Sequence, residues 1–262
     1  MINKILFLVI FLVILFEKNE LLSNSLLESS INNKYRSEKN KKRDIYRNPY
    51  ETLSFFGVNS DKRILEIIPG RGWYTEILSN YMNGSKNFYV LMYEKPKIDY
   101  LKKIQKEYLN FFSENEDKFG EINDIYFDDS FNILHEANFF DLALTFRNTH
   151  NWLKIGKAEK VFKSINRVLK KDGILGVVQH RGFEKSEENF LKGYVKEKFL
   201  IKLIEEQGFK LIKNSEINSN SRDLKNYEKG VWTLPPRLVD GAKDKYLSIG
   251  ESDRMTLKFR KL

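Results

Sequence analysis

Two groups of residues in this chain have the types and spacing that chemistry needs. The first lies in RILEIIPGRGWYTEIL, residues 63–78, where Glu66, Pro69, Gly70 and Gly72 sit between an apolar run and a helical repeat. Glycines there let backbone N–H groups approach a bound molecule, and the start of a helix favours a carboxylate or phosphate. Glu66 would repel a pyrophosphate, yet it can accept a hydrogen bond from an ammonium group. Together these requirements suit the head group of an amino acid, which carries both charges. Position 75 is Thr, so the third glycine of a dinucleotide fingerprint is missing, and no Gly-Lys-Ser/Thr follows, which excludes a P-loop. The second group is Arg147, Asn148, His150 and Asn151, with His180 and Arg181 further on. Histidine is the side chain whose ordinary pKa suits proton removal from an O–H or N–H near neutrality. His150 is the first candidate base, with Arg147, Asn148 and Asn151 orienting the reacting molecules. His180 with Arg181 is the second.

The elements that must position these residues can be read from periodicity. Ile64 to Ile68 is a short apolar run suited to a strand covered on both faces, and from Trp73 the residues Trp73, Ile77, Leu78 and Tyr81 recur at helical spacing. Further strands are expected at 87–93, 121–127, 140–146, 174–179, 209–217 and 255–262. Helices are expected at 46–56, 97–112, 157–170 and 194–207, with Asp172-Gly173 stopping the third of these. In an open α/β sheet the ligand lies outside the carboxyl ends of the parallel strands. Glu94, Asp128, His150 and His180 all follow strands, so strand order alone gathers them on one rim. Glu94 stands where ribose-binding acids usually sit, and Asp128 is placed to meet a base. Trp73, Tyr74 and Trp152 fall at the same edge. The apolar, proline-marked segment 229–236 is expected to fold back as a lid, with residues 251–254 tying it down.

At 262 residues the chain can build one large α/β domain. Without cysteine it has neither disulfides nor thiolate metal sites, and no metal centre is expected. The net charge of +9 includes +5 within residues 34–47, a stretch read as a solvated linker, and nucleic-acid binding is not expected. Residues 5–16 are an uninterrupted apolar run after a single lysine, too short for a comfortable membrane span but matched to the apolar region of a secretory signal. The expected organisation is a signal peptide or N-terminal membrane anchor at 1–22, a polar linker at 23–44 and a single domain at 45–262. Residues 5–16 then give a possible membrane association. The expected location is the periplasm or the membrane, with a cytoplasmic location as the alternative.

At Glu66-x-x-Pro69-Gly70-x-Gly72 the sequence resembles motif I of the class I S-adenosylmethionine-dependent methyltransferases. With YRNPYETLSFFGV, LTFRNTHNW, GVVQHRG, KGVWTLPP and GESDRMTLKF in order, the resemblance narrows to a group of bacterial predicted methyltransferases and covers residues 45–262. It implies a Rossmann-like sheet of seven mostly parallel strands, helices on both faces and an antiparallel last strand. It further implies S-adenosyl-L-methionine as cofactor, held by Glu66, Gly70, Gly72 and Glu94. Pro69, Trp73, Tyr74 and Asp128 complete the candidate cofactor residues, and His150, His180, Arg147 and Asn148 the candidate catalytic ones. Members of the group often carry an export signal. Arg71 departs from the broad class, in which a small residue is frequent between the glycines. The implied activity is methyl transfer to a small-molecule or envelope acceptor. The rival readings are an envelope binding protein that kept the fold without transfer, and a dinucleotide oxidoreductase, which Glu66 and Thr75 disfavour.

Overall fold

The computed structural model describes residues 23–82, 85–186 and 190–262. The apolar run at 5–16, expected as a signal or anchor, lies outside the described residues. Among the described residues no helix is long and apolar enough to cross a membrane. Seven strands form one sheet: β1 (Ile64–Ile67), β2 (Phe88–Tyr93), β3 (Asn123–Phe127), β4 (Phe140–Phe146), β5 (Leu169–His180), β6 (Phe209–Ser215) and β7 (Arg254–Lys261). Their order is β3-β2-β1-β4-β5-β7-β6. The first five pair in parallel, and β7 runs antiparallel to both β5 and β6.

Strand alternation sorts the core into two layers. Leu65 and Ile67 of β1 join Val161, Phe162, Ile165 and Val168 of helix α5 (Ala158–Val168) and Leu200, Leu203 and Ile204 of α6 (Glu197–Glu205). Ile64 faces the opposite layer, with Leu53 and Phe56 of α1 (Pro49–Phe56), Ile77 and Leu78 of α2 (Thr75–Tyr81), and Tyr108 and Phe112 of α3 (Asp99–Ser113). The short helix α4 (Thr149–Lys154) brings Trp152, fully buried, into the first layer. At Gly72, φ is +80°, and a Cβ there would lie 2.4 Å from the Phe112 ring. Glycine is therefore what lets α3 close against the turn after β1.

Two expectations change in detail. The third expected helix stops at Val168, because Leu169 is extended, fully buried and paired with Phe140, so Asp172-Gly173 lies in an irregular part of β5 and does not cap a helix. The stretch 23–44, expected as a linker, is packed onto the domain. Residues 23–31 are helical, Leu27 enters the core, and Arg36 bonds bidentately to Asp44 at 2.8 and 2.9 Å while approaching Glu76. Ser37 and Asn40 also donate to the Glu76 carboxylate. Polar composition suggested a solvated linker, but here the polar groups find partners on α2 that balance their burial.

Candidate functional site

The carboxyl ends of β1 to β4 open onto a cavity of about 530 Å³ at the strand-order switch between β1 and β4. That volume falls within the range of about 300–1,000 Å³ usual for small-molecule sites. Each strand contributes through the residues at or just beyond its end: Ile68, Pro69 and Gly70 after β1, Met92 and Tyr93 from β2, Phe127 and Asp128 from β3, and Asn148, Asn151 and Trp152 after β4. Ile98, Leu101 and Ile104 close it from the α3 side. The lining is mainly apolar and aromatic, with a few polar groups, as suits a flat heterocycle carrying polar substituents. Gly70 has φ +64° and no atom within 4 Å of where a Cβ would project, so the turn leaves room for a ligand beside its backbone.

The turn is held by side chains. Asn148 Nδ2 donates to the Ile67 and Ile68 carbonyls at 2.9 and 3.1 Å and to Thr145 Oγ1 at 3.1 Å. Ile68 adopts φ +50°, a left-handed conformation that a β-branched residue takes only under constraint from its surroundings. The Asn148 clamp provides that constraint. Trp152 Nε1 donates to the Tyr93 hydroxyl at 3.2 Å, which fixes two cavity walls against each other.

The candidate cofactor residues separate into two sets. Pro69, Gly70 and Asp128 line the cavity. The Asp128 carboxylate already accepts from Ser130 N, Asn132 N and Asn132 Nδ2 at 2.8, 2.8 and 2.9 Å. Glu94 is exposed and outside the cavity lining. Glu66 is buried on the α2 side of the sheet, where Thr75 Oγ1 donates to it at 2.7 Å. Burial pushes its pKa up to about 8, so at neutral pH it is largely the uncharged acid. Trp73 and Tyr74 point elsewhere: Trp73 Nε1 donates to the Asn40 carbonyl, its ring contacts the Arg36 and Arg47 guanidinia at 5.3 and 4.6 Å, and Tyr74 stacks on Phe146 at 3.5 Å. Arg71 pairs with Glu107 at the surface.

Of the candidate catalytic residues, Asn148 lines the cavity, while Arg147, beside it in the chain, turns toward Glu251, and His150 and His180 stand outside the lining. His150 and His180 lie with ring centroids 5.6 Å apart, and Trp232 meets His150 edge-on at 5.8 Å. From segment 229–236, Trp232 thus packs against His150, and the adjoining Arg237 donates to the hydroxyl of Tyr100, a cavity residue, at 2.6 Å. Residues 251–254 do not tie this segment down. Glu251 binds arginines, Ser252 Oγ sits 2.6 Å from His180 Nδ1, and Asp253 pairs with Arg181 and Lys225.

Gln179 Nε2 donates to the Gly193 carbonyl at 3.0 Å and faces His150 Nδ1 at 3.2 Å. An amide nitrogen in that position makes Nδ1 an acceptor and places the His150 proton on Nε2. His150 as arranged is therefore a donor at Nε2, and His180 shares the claim to the base. Burial lowers the His150 pKa to about 4, and burial with the nearby positive groups holds His180 well below its usual value. A histidine whose pKa is lowered by folding binds fewer protons folded than unfolded, so its penalty grows as pH falls from about 6.5 toward 4. His150→Gln is accordingly expected to lose about 3 kcal/mol less stability than the parent over that interval, by urea unfolding at a series of pH values. Parallel losses would show that His150 titrates normally.

No local pattern points to the Glu251 cluster: Arg43 and Arg47 lie 208 and 204 positions from Glu251, and Arg147 and residues 251–254 are expected in other roles.

No protein-family model matches the chain, and no curated protein matches it. Among solved structures it is similar to a SAM-dependent methyltransferase from Aquifex aeolicus, with 14% identity and a TM-score of 0.57 over 87% of this chain and 100% of that one. It is similar also to a SAM-dependent methyltransferase from Methanosarcina mazei, with 14% identity and a TM-score of 0.52 over 80% and 96% of the two chains. The [4+2]-cyclase SpnF aligns too, with 16% identity and a TM-score of 0.54 over 85% and 81%. A cyclase in this company shows that the fold alone does not set the reaction. At these identities the likeness establishes architecture: the chain has the seven-stranded, Rossmann-like fold of the S-adenosylmethionine-dependent methyltransferases.

Proposed function

We propose that this protein is an S-adenosylmethionine-dependent methyltransferase acting on a small-molecule or envelope acceptor. The observation that carries the reading is the cavity at the ends of β1 to β4, floored by the Gly70 turn and walled by Tyr93, Phe127 and Trp152. Pro69, Gly70, Asn148 and Asp128 are the residues that would hold the cofactor. When bound, it supplies an electrophilic methyl group: an acceptor O–H or N–H gains the methyl and loses its proton, and S-adenosylhomocysteine remains. What the protein contributes is alignment, exclusion of water and a group to receive that proton. His180, neutral near pH 7 and in contact with Ser252, is the candidate for the last role, while His150, whose Nδ1 is engaged by Gln179, offers its Nε2–H as a donor.

Two observations favour a second reading, a binding protein without transfer: Glu94 is exposed outside the cavity lining, and Glu66 is engaged with Thr75. Calorimetric titration of the full chain with S-adenosylmethionine, S-adenosylhomocysteine and NAD separates the possibilities. Binding of both sulfur nucleosides but not NAD is the expected result. A folded protein that binds none of the three would overturn the methyltransferase reading, and preference for NAD would point to redox chemistry.

A further inference from the structure

Around Glu251 the chain gathers more positive charge than it can balance. Arg43 Nε, Arg47 Nε and Arg254 Nη1 lie 2.7, 3.2 and 3.2 Å from its carboxylate oxygens, and Arg147 Nη1 lies 3.8 Å away. Asp253, the next acid, is already committed to Arg181 and Lys225, at 3.0 and 2.7 Å. One carboxylate therefore faces four guanidinium groups.

Neutral groups relieve only part of the excess: backbone carbonyls serve Arg254, and the Trp73 ring faces the Arg47 guanidinium at 4.6 Å without accepting from its N–H groups in plane. The Arg47 side chain is 1% exposed, and both its terminal nitrogens are buried without a hydrogen-bond partner among the described residues. Leaving guanidinium donors dry and unpaired is expensive, so a structural tie between the arm and β7 does not account for them. Arg254 is satisfied by the Tyr46 and Ser252 carbonyls. Arg147 is different: its side chain is 24% exposed, its backbone is left-handed at φ +64°, and the 3.8 Å approach to Glu251 is too long for a hydrogen bond. Its fork is available. The strained backbone turns it away from its neighbour Asn148, which lines the cavity, so the arginines and the cavity meet at this one turn.

We propose that Arg47 and Arg147, supported by Arg254 and Glu251, bind an oxyanion, a carboxylate or a phosphate, carried by the methyl acceptor. The inference rests on the methyltransferase reading and adds the acceptor's chemical class. A guanidinium fork matches either oxyanion in two-point geometry, which lysine would not. Neither arginine lines the cavity assigned to the cofactor, so the anion is not the cofactor's own carboxylate.

The test is thermal unfolding of the full chain titrated with inorganic phosphate and, separately, benzoate, at constant ionic strength held with chloride, with and without S-adenosylhomocysteine. The parent protein is expected to be stabilised saturably by one of the two anions, and the anion that saturates at lower concentration names the source. Arg147→Met and Arg47→Met are each expected to weaken that anion by about tenfold or more, while S-adenosylhomocysteine affinity stays unchanged in Arg147→Met. Arg147→Met is the primary variant, since its partly exposed side chain can be removed with least disturbance to the core. No saturable response to either anion would overturn the proposal, as would a response that Arg147→Met retains. A fall in S-adenosylhomocysteine affinity in that variant would assign the arginines to the cofactor and overturn it too. Failure of the methyltransferase reading is seen separately, as absence of S-adenosylhomocysteine binding by the parent.

Discussion

Glu251→Gln is expected to destabilise the protein by about 3–5 kcal/mol, the usual cost of leaving buried charges without their partner. Against a typical stability of about 5–15 kcal/mol this is a large fraction. The side chain is nearly isosteric, so the loss is one of charge rather than packing. In the parent, Glu251 joins Arg43 and Arg47 of the N-terminal arm to Arg254 of β7, contacts that span 208 and 204 positions for the first two. Removing it leaves four guanidinium groups facing one another. The pH dependence follows from the direction of the shift. Burial alone would raise the Glu251 pKa, but Arg47, Arg254, Arg43 and Arg147 overcome that and hold it far below 4.5. A carboxylate depressed in the folded state contributes fully above its unfolded pKa and loses that contribution as pH falls below it. Urea unfolding should therefore show a wide gap between parent and Glu251→Gln at pH 7 that narrows below about pH 4.5. Equal stabilities at pH 7 would mean that the arginines are hydrated, and that the cluster holds nothing together.

Gly70→Asp is expected to weaken S-adenosylhomocysteine binding by about 100-fold or more while leaving the protein folded. Aspartate tolerates left-handed backbone better than most residues, and nothing lies within 4 Å of the new Cβ, so the substitution should not disturb the turn. Its side chain would instead fill the space beside the backbone. A carboxylate about 4 Å from the anionic end of the ligand costs on the order of 4 kcal/mol at an effective dielectric constant of about 20. Gly70→Asn separates volume from charge and should lose less. Glu94→Ala supplies the contrast, with a loss under about tenfold because that side chain stands outside the cavity lining. Calorimetry with S-adenosylhomocysteine reads all three. Full affinity in Gly70→Asp would place the ligand away from this turn, whereas a large loss in Glu94→Ala would show that its carboxylate swings inward on binding.

Much of the architecture was legible in the residues. The β4 run FDLALTF is a strand with the expected bounds, and the glycine turn after β1 sits at the floor of the cavity. Such elements can be read because apolar periodicity and turn chemistry are local properties. The position of His150 and His180 after successive parallel strands was legible for the same reason, since strand ends in a parallel sheet share one edge.

Direction was harder to read than position. Glu66 was expected at the ligand, but a strand turns successive side chains to opposite faces, and the α2 layer already offers Thr75 to a buried acid. Trp73 and Tyr74, counted with the cofactor residues, face the N-terminal arm and Phe146, because the helix that follows the turn presents them away from the sheet edge. The stretch 34–47 looks like a linker by composition, yet Arg36 and Arg47 within it are among the most buried side chains of the described residues.

By itself the sequence determined the order of strands and helices, the glycine turn and the rim on which polar residues gather, because each depends on neighbours within a few positions. Only the tertiary structure decided that Arg43, Arg47, Arg147 and Arg254 meet at Glu251 and that His150 carries its proton on Nε2. Those outcomes depend on burial and charge among residues far apart in the chain, and no local pattern encodes which distant group will remove water from another.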